Sequence, residues 1–68
     1  MADKILKLPE VRARTGLSRS AIYEKAKHGG FPAPIKLSER SSGWVEREIG
    51  DWITQKIESS RAATEGAE

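Results

Sequence analysis

The sequence predicts a small, mainly α-helical domain with one β-hairpin, and three observations lead to this fold class. A glycine ends one short helical pattern, and a serine that can cap a second helix follows it almost at once. The stretch FPAPIKL (31–37) contains two prolines, which favour an extended connector into a hairpin over a helix. A third helical pattern follows the hairpin. Together they predict a winged helix-turn-helix, with three helices and a two-stranded wing, as a single domain over residues 1–58.

The composition limits the classes of function that the chain can have. The chain has 68 residues, one histidine and no cysteine, so its fold rests on hydrophobic packing, and neither a metal nor another cofactor is expected. We find no nucleophile–base set and no phosphate-binding loop, so no enzyme is predicted. There is no long apolar run and no signal-peptide pattern, so we expect a cytoplasmic protein without a membrane partner.

The charge is unevenly distributed along the chain. Residues 1–40 carry nine Lys or Arg and four Asp or Glu, a net charge of +5, whereas residues 41–68 carry three and six, a net charge of −3. A basic front half favours a polyanionic partner such as nucleic acid or a membrane surface. The alternative is a set of solvated charges that keeps a small domain soluble.

The first two helices are predicted from their end signals. Pro9 suits the first turn of a helix that runs to about Thr15. Gly16 then ends it, in the left-handed conformation that glycine tolerates. Ser18 is a good N-cap for the second helix, which we expect over residues 18–28. So short a turn forces the two helices into an angular pair.

The hairpin and the third helix complete the domain. Strands are predicted at about 35–37 and 43–45, and Phe31, Ile35 and Trp44 are expected to pack against the helices, because a hairpin is not stable alone.

The third helix is predicted from about Glu46 to Ile57, with an amphipathic stripe of Ile49, Trp52, Ile53 and Ile57. Residues 59–68 contain no large apolar side chain, and we expect them to form a disordered C-terminal tail.

The second helix carries more polar surface than its packing requires. In a helix-turn-helix protein the second helix enters the DNA major groove with its N-terminal residues against base edges. Arg19 can bond guanine bidentately, Tyr23 can reach a phosphate or stack on a sugar, and Lys27 can meet a phosphate. Glu24 either accepts from cytosine or only repels wrong placements. The candidate DNA-binding residues of this helix are Ser18, Arg19, Ser20, Tyr23 and Lys27. The alternative is an ordinary solvated helix face.

The hairpin has a polar, basic tip. Lys36, Ser38 and Arg40 are its candidate DNA-binding residues, with Ser41 and Ser42 beside them. In a winged helix such a tip lies over the neighbouring backbone or minor groove. The alternative is a solubilising turn. Arg12 and Arg14, on the first helix, could meet either the DNA backbone or solvent.

Five stretches together resemble the AlpA family of prophage regulatory proteins. They are L-P-E-V (8–11), T-G-L-S-R-S-x-I-Y (15–23), G-x-F-P-x-P-I-K-L (29–37), G-W (43–44) and E-I-x-x-W (48–52). The resemblance covers about residues 5–57. It implies a winged helix-turn-helix similar to MerR N-terminal domains and excisionases, with a recognition helix over 18–28 and a wing over 35–45.

The resemblance implies a sequence-specific regulator of transcription for prophage or integrative-element genes. It would be bacterial and nucleoid-associated, with double-stranded DNA as partner and an integrase or RNA polymerase as candidate protein partners. We expect a monomer in solution that binds DNA cooperatively. A second hypothesis is that the chain is an excisionase, or recombination directionality factor, that bends DNA for an integrase. A hypothesis of a different class is a protein-interaction module that docks through the third helix.

Overall fold

The computed structural model describes residues 3–66. The elements in chain order are β1 (Ile5–Leu6), α1 (Leu8–Thr15), α2 (Arg19–Lys27), β2 (Ile35–Ser38), β3 (Ser41–Val45) and α3 (Glu46–Gly66). This is the predicted winged helix-turn-helix, with a sheet of three strands instead of two. Over the described part of the chain, no helix is both long and apolar enough to span a bilayer.

The turn between α1 and α2 confirms the predicted end signals. Gly16 has a φ of 74° and its backbone N–H donates to the Arg12 carbonyl at 2.8 Å, which ends α1. A φ of this sign favours glycine, since a Cβ there is strained. The Ser18 hydroxyl accepts from the Ala21 backbone N–H at 3.1 Å and caps α2. α2 therefore leaves α1 at a defined angle.

The core lies between the three helices and one face of the sheet. Its buried side chains are Leu6, Val11, Ile22, Phe31, Trp44 and Ile49. The Trp44 indole N–H donates to the Pro32 carbonyl at 3.0 Å, and the Trp52 indole N–H donates to the Gly30 carbonyl at 2.7 Å. The two indoles thereby tie the connector before β2 to β3 and to α3. The predicted packing of Phe31 and Trp44 is confirmed.

The predicted burial of Ile35 is wrong, because its side chain is 41% exposed. Ile35 pairs with Gly43, the neighbour of Trp44 in β3. Successive residues of a strand point to opposite faces of the sheet. Since Trp44 faces the core, Ile35 faces away from it.

The strand β1 was not predicted, and it makes β3 the central strand in the order β1-β3-β2. Ile5 and Leu6 pair antiparallel with Val45 and Trp44. β1 also explains Gly43: a Cβ added there would lie 2.4 Å from Ile5 Cγ2 and 2.9 Å from the Leu6 carbonyl oxygen. The absence of a side chain at Gly43 is thus what allows β1 to approach.

Helix α3 begins at Glu46 as predicted, but its predicted end near Ile57 is wrong, because the helix continues to Gly66. Residues 58–65, ESSRAATE, contain neither proline nor glycine, so the first residue after Ile57 that favours a helix end is Gly66. Ile49 is buried, whereas Ile57 is 45% exposed, so the apolar stripe is covered only along the first part of α3. Residues 67 and 68 of the predicted tail lie outside the described residues, and its disorder stays a prediction.

Candidate nucleic-acid interface

One face of α2 is exposed. Ile22 is the buried residue of the helix, and Ala21 and Ala26 are half-buried. The five residues that the sequence predicts as contacts on this helix are all exposed at its surface: Ser18, Arg19, Ser20, Tyr23 and Lys27. Ser18, Arg19 and Ser20 lie at the N-terminal end, and Lys27 lies in the last turn. The Ser18 oxygen accepts the capping bond, which leaves its O–H free to donate.

Tyr23 links this face to the wing. Its ring centroid lies 5.8 Å from that of Trp44, at an interplanar angle of 59°. The Arg19 guanidinium carbon lies 5.7 Å from the Tyr23 ring centroid, within the range of a cation–π contact. These two contacts connect an exposed cation of α2 to a buried indole of β3.

The register of the wing places Lys36 on the side of the sheet that faces α2. Lys36 pairs with Ser42, and Ser42 lies two residues before Trp44 in β3. Residues two apart in a strand, and residues paired across strands, share one face of a sheet. Trp44 contacts Tyr23 of α2, so Lys36 lies on that same side.

The other two predicted wing residues follow Lys36 at the tip. Ser38 is the last residue of β2, where the pairing shifts to Ser38 with Ser41, and Arg40 lies in the turn before β3. Both are exposed. The groove along the wing is lined by Lys36, Ser38 and Arg40 together with Pro34, Glu39, Ser41 and Ser42. The structure thus brings the wing residues into one surface.

Two charged residues that the sequence left undecided have partners inside the molecule. The Glu24 carboxylate lies 2.9 Å from the His28 imidazole Nε2, one turn along the same helix. The Arg14 guanidinium lies 3.1 Å from the Glu46 carboxylate of α3. Arg12 instead is exposed and lines a groove that includes Ser18. Of the two arginines of α1, Arg12 is therefore the one that borders the candidate interface.

Lys7 contacts the wing, which the sequence did not predict. Its ammonium donates to the Ser41 hydroxyl of the wing, 34 residues away in the chain. Lys7 also precedes α1 as its N-cap. A contact between residues this far apart leaves no local pattern in the sequence. The only signal for Lys7 was its position in the basic front half of the chain.

The exposed side chains of the candidate interface are mainly cations and hydroxyls. Among residues 3–66, no group of three or more His, Asp and Glu is arranged to hold a metal ion. Guanidinium, ammonium and hydroxyl groups lie along α2 and the wing. They can donate hydrogen bonds, which an anionic partner would accept.

Comparison with known proteins shows the family of the chain. Residues 4–57 match the family model described as prophage CP4-57 regulatory protein (AlpA). The chain belongs to the AlpA family of prophage regulatory proteins. The region matched to AlpA includes β1, both helices of the turn, the wing and the first part of α3. It ends at residue 57, where the apolar stripe of α3 is exposed.

The chain is also similar to two curated proteins, one of which is itself named AlpA. It is 36% identical over 61 residues to the DNA-binding transcriptional activator AlpA of Escherichia coli K12, across 81% of this chain and 87% of that protein. It is also 36% identical over 55 residues to the uncharacterized protein ORF88 of Enterobacteria phage P4, across 81% of this chain. The match spans only 62% of the ORF88 length. No solved structure matches the chain.

Proposed function

We propose that the chain is a sequence-specific DNA-binding regulator of prophage or integrative-element transcription. Its recognition helix α2 would lie in the major groove, and its wing would lie over the backbone or minor groove. The observation that carries the proposal is that the exposed polar face of α2 and Lys36 of the wing lie on the same side of the molecule. The relative from Escherichia coli, which is named a DNA-binding transcriptional activator, supports the same function.

The residues divide between two kinds of contact. Arg19 and Ser20, at the start of α2, are the proposed base-reading residues, because the N-terminal end of a recognition helix faces base edges. Lys27, Lys36 and Arg40 are the proposed phosphate contacts, with Ser18, Tyr23 and Ser38 as hydrogen-bond donors beside them. Glu24 already has His28 as its partner, so we do not assign it a base.

The salt dependence of duplex binding tests this function. Three phosphate contacts predict that log K falls with log salt concentration at a slope of about −2.7, and Lys36→Ala should make the slope shallower by about 0.9. Lys56→Ala is the matched control, because its ammonium lies 5.6 Å from the Trp52 ring centroid on α3 and outside the interface. A duplex affinity that does not change with salt contradicts the proposal.

A footprint separates regulation from the excisionase function. A protected site restricted to a promoter supports the proposed regulator. A long footprint with a helical repeat at an attachment site would instead indicate a protein that bends DNA for an integrase.

A further inference from the structure

The side chain of Tyr23 is 37% exposed, and its ring contacts both the Trp44 indole and the Arg19 guanidinium. A tyrosine that only donates its hydroxyl to a phosphate requires neither of these ring contacts. We propose that Tyr23 is a positioning residue, whose ring rests on Trp44 of the wing and holds the Arg19 guanidinium in the orientation that reads a base. The inference rests on the proposed function and adds to it a route by which the wing affects the sequence specificity of α2.

The first step is that Trp44 is a fixed platform. Its side chain is 1% exposed, and its indole N–H is bonded to the Pro32 carbonyl. Trp44 is also paired through its backbone with Leu6 of β1, which is fully buried. An indole that is packed in the core, hydrogen-bonded once and carried on a strand residue paired with β1 has little freedom to move.

The second step is that Tyr23 is anchored on this platform. A centroid distance of 5.8 Å and an angle of 59° are within the range of a favourable aromatic pair. The Tyr23 ring is therefore held by β3 as well as by its own helix. A change in the position of β3 would change the position of the ring.

The third step is that Arg19 lies against this anchored ring. Arg19 and Tyr23 are four residues apart in α2, so their side chains are neighbours on the helix surface. No carboxylate of residues 3–62 forms an ion pair with Arg19, whereas Arg14 and Arg47 both have one. A guanidinium that is ordered before binding loses less conformational freedom when it meets a base.

The test compares the ring of Tyr23 with its hydroxyl. The affinity for a duplex selected from random sequences is divided by the affinity for a scrambled duplex, which gives a specificity ratio for each variant. We expect Tyr23→Phe to keep the ratio and Tyr23→Leu to lower it by about twofold to fivefold, the range of an exposed cation–π contact. If Tyr23→Leu keeps the ratio, or if Tyr23→Phe lowers it as much as Tyr23→Leu, the positioning role is wrong.

A double substitution checks that Tyr23 acts through Arg19. In the Arg19→Ala background, Tyr23→Leu should cause no further loss of specificity, because the group that it positions is gone. A further loss equal to that in the unsubstituted chain overturns the proposal. A merely structural role predicts equal weakening on both duplexes, which leaves the ratio unchanged and also overturns it.

Two controls keep the result interpretable. Thermal unfolding shows whether each variant is folded, and Tyr23→Met replaces Tyr23→Leu if the latter is not, since a flexible Met packs on an indole without presenting a π face. If the unsubstituted chain does not prefer its selected duplex, the proposed function itself fails. If it does, and the preference survives Tyr23→Leu, only the positioning role fails.

Discussion

Helix α2 and the wing carry the candidate interface together, but they are held in different ways. α2 is capped by Ser18 at its start and fixed by the fully buried Ile22 at its middle. In the wing, every residue of β2 is exposed, and the strand is held by its pairing with β3. Base contacts carry the sequence information, whereas phosphate contacts carry none directly. We therefore propose base reading for the more firmly held element, α2, and backbone contact for the wing.

The sharpest contrast is between two isoleucines. Ile22→Ala should lower the free energy of unfolding by about 2–5 kcal/mol, because it opens a cavity under α2. Ile35→Ala, the matched substitution in the wing, should change it by about 0.5 kcal/mol or less, because Ile35 is 41% exposed. Urea unfolding followed by circular dichroism measures both. Equal losses would mean that α2 and the wing are held alike.

A pair of glycine substitutions tests the close approach of β1 to β3 at Gly43, with Gly50 of α3 as the control. Gly43→Ala should cost about 1–3 kcal/mol, because the new Cβ meets Ile5 and the Leu6 backbone. Gly50→Ala should instead stabilise by about 0.5–1 kcal/mol, because Gly50 is exposed in α3 and an added Cβ has nothing within 4 Å. The midpoint of thermal unfolding should therefore move in opposite directions. A shift of the same sign for both would contradict the approach of β1 to β3.

Much of the helix pair could be predicted from the sequence, because its signals lie within a few residues of one another. Gly16 and Ser18 act on their own neighbours, and both do what the sequence predicts. The strand β1 and the bond from Lys7 to Ser41 join distant parts of the chain, and two residues of strand are too short to show a period. The exposure of Ile35 depends on which residue of β3 it pairs with.

The candidate site divides in the same way. The polar face of α2 could be predicted from helical spacing and the cap. The ion pair of Arg14 with Glu46, and the contact of Tyr23 with Trp44, both depend on where other elements pack. The end of α3 was predicted too early, since a loss of apolar residues does not by itself stop a helix.

The smallest stability effect concerns the cap of α2. Ser18→Ala should lower the free energy of unfolding by about 1 kcal/mol, because the Ala21 backbone N–H loses its acceptor. Ser20→Ala is the control on the same helix, where an exposed serine replaced by a better helix former should change stability by about 0.5 kcal/mol or less. Thermal unfolding of both variants measures the difference. Indistinguishable midpoints would show that the cap does not hold α2.

The central claim is that α2 reads bases and that the wing contacts the DNA backbone. It is tested most directly by binding two variants to two duplexes. Arg19→Ala should cost about 1–3 kcal/mol on the selected duplex and much less on a scrambled one, whereas Lys36→Ala should weaken binding to both about equally. Competition titrations at one fixed salt concentration give all four values. If Arg19→Ala weakens both duplexes equally, α2 does not read bases through this arginine, and the central claim is contradicted.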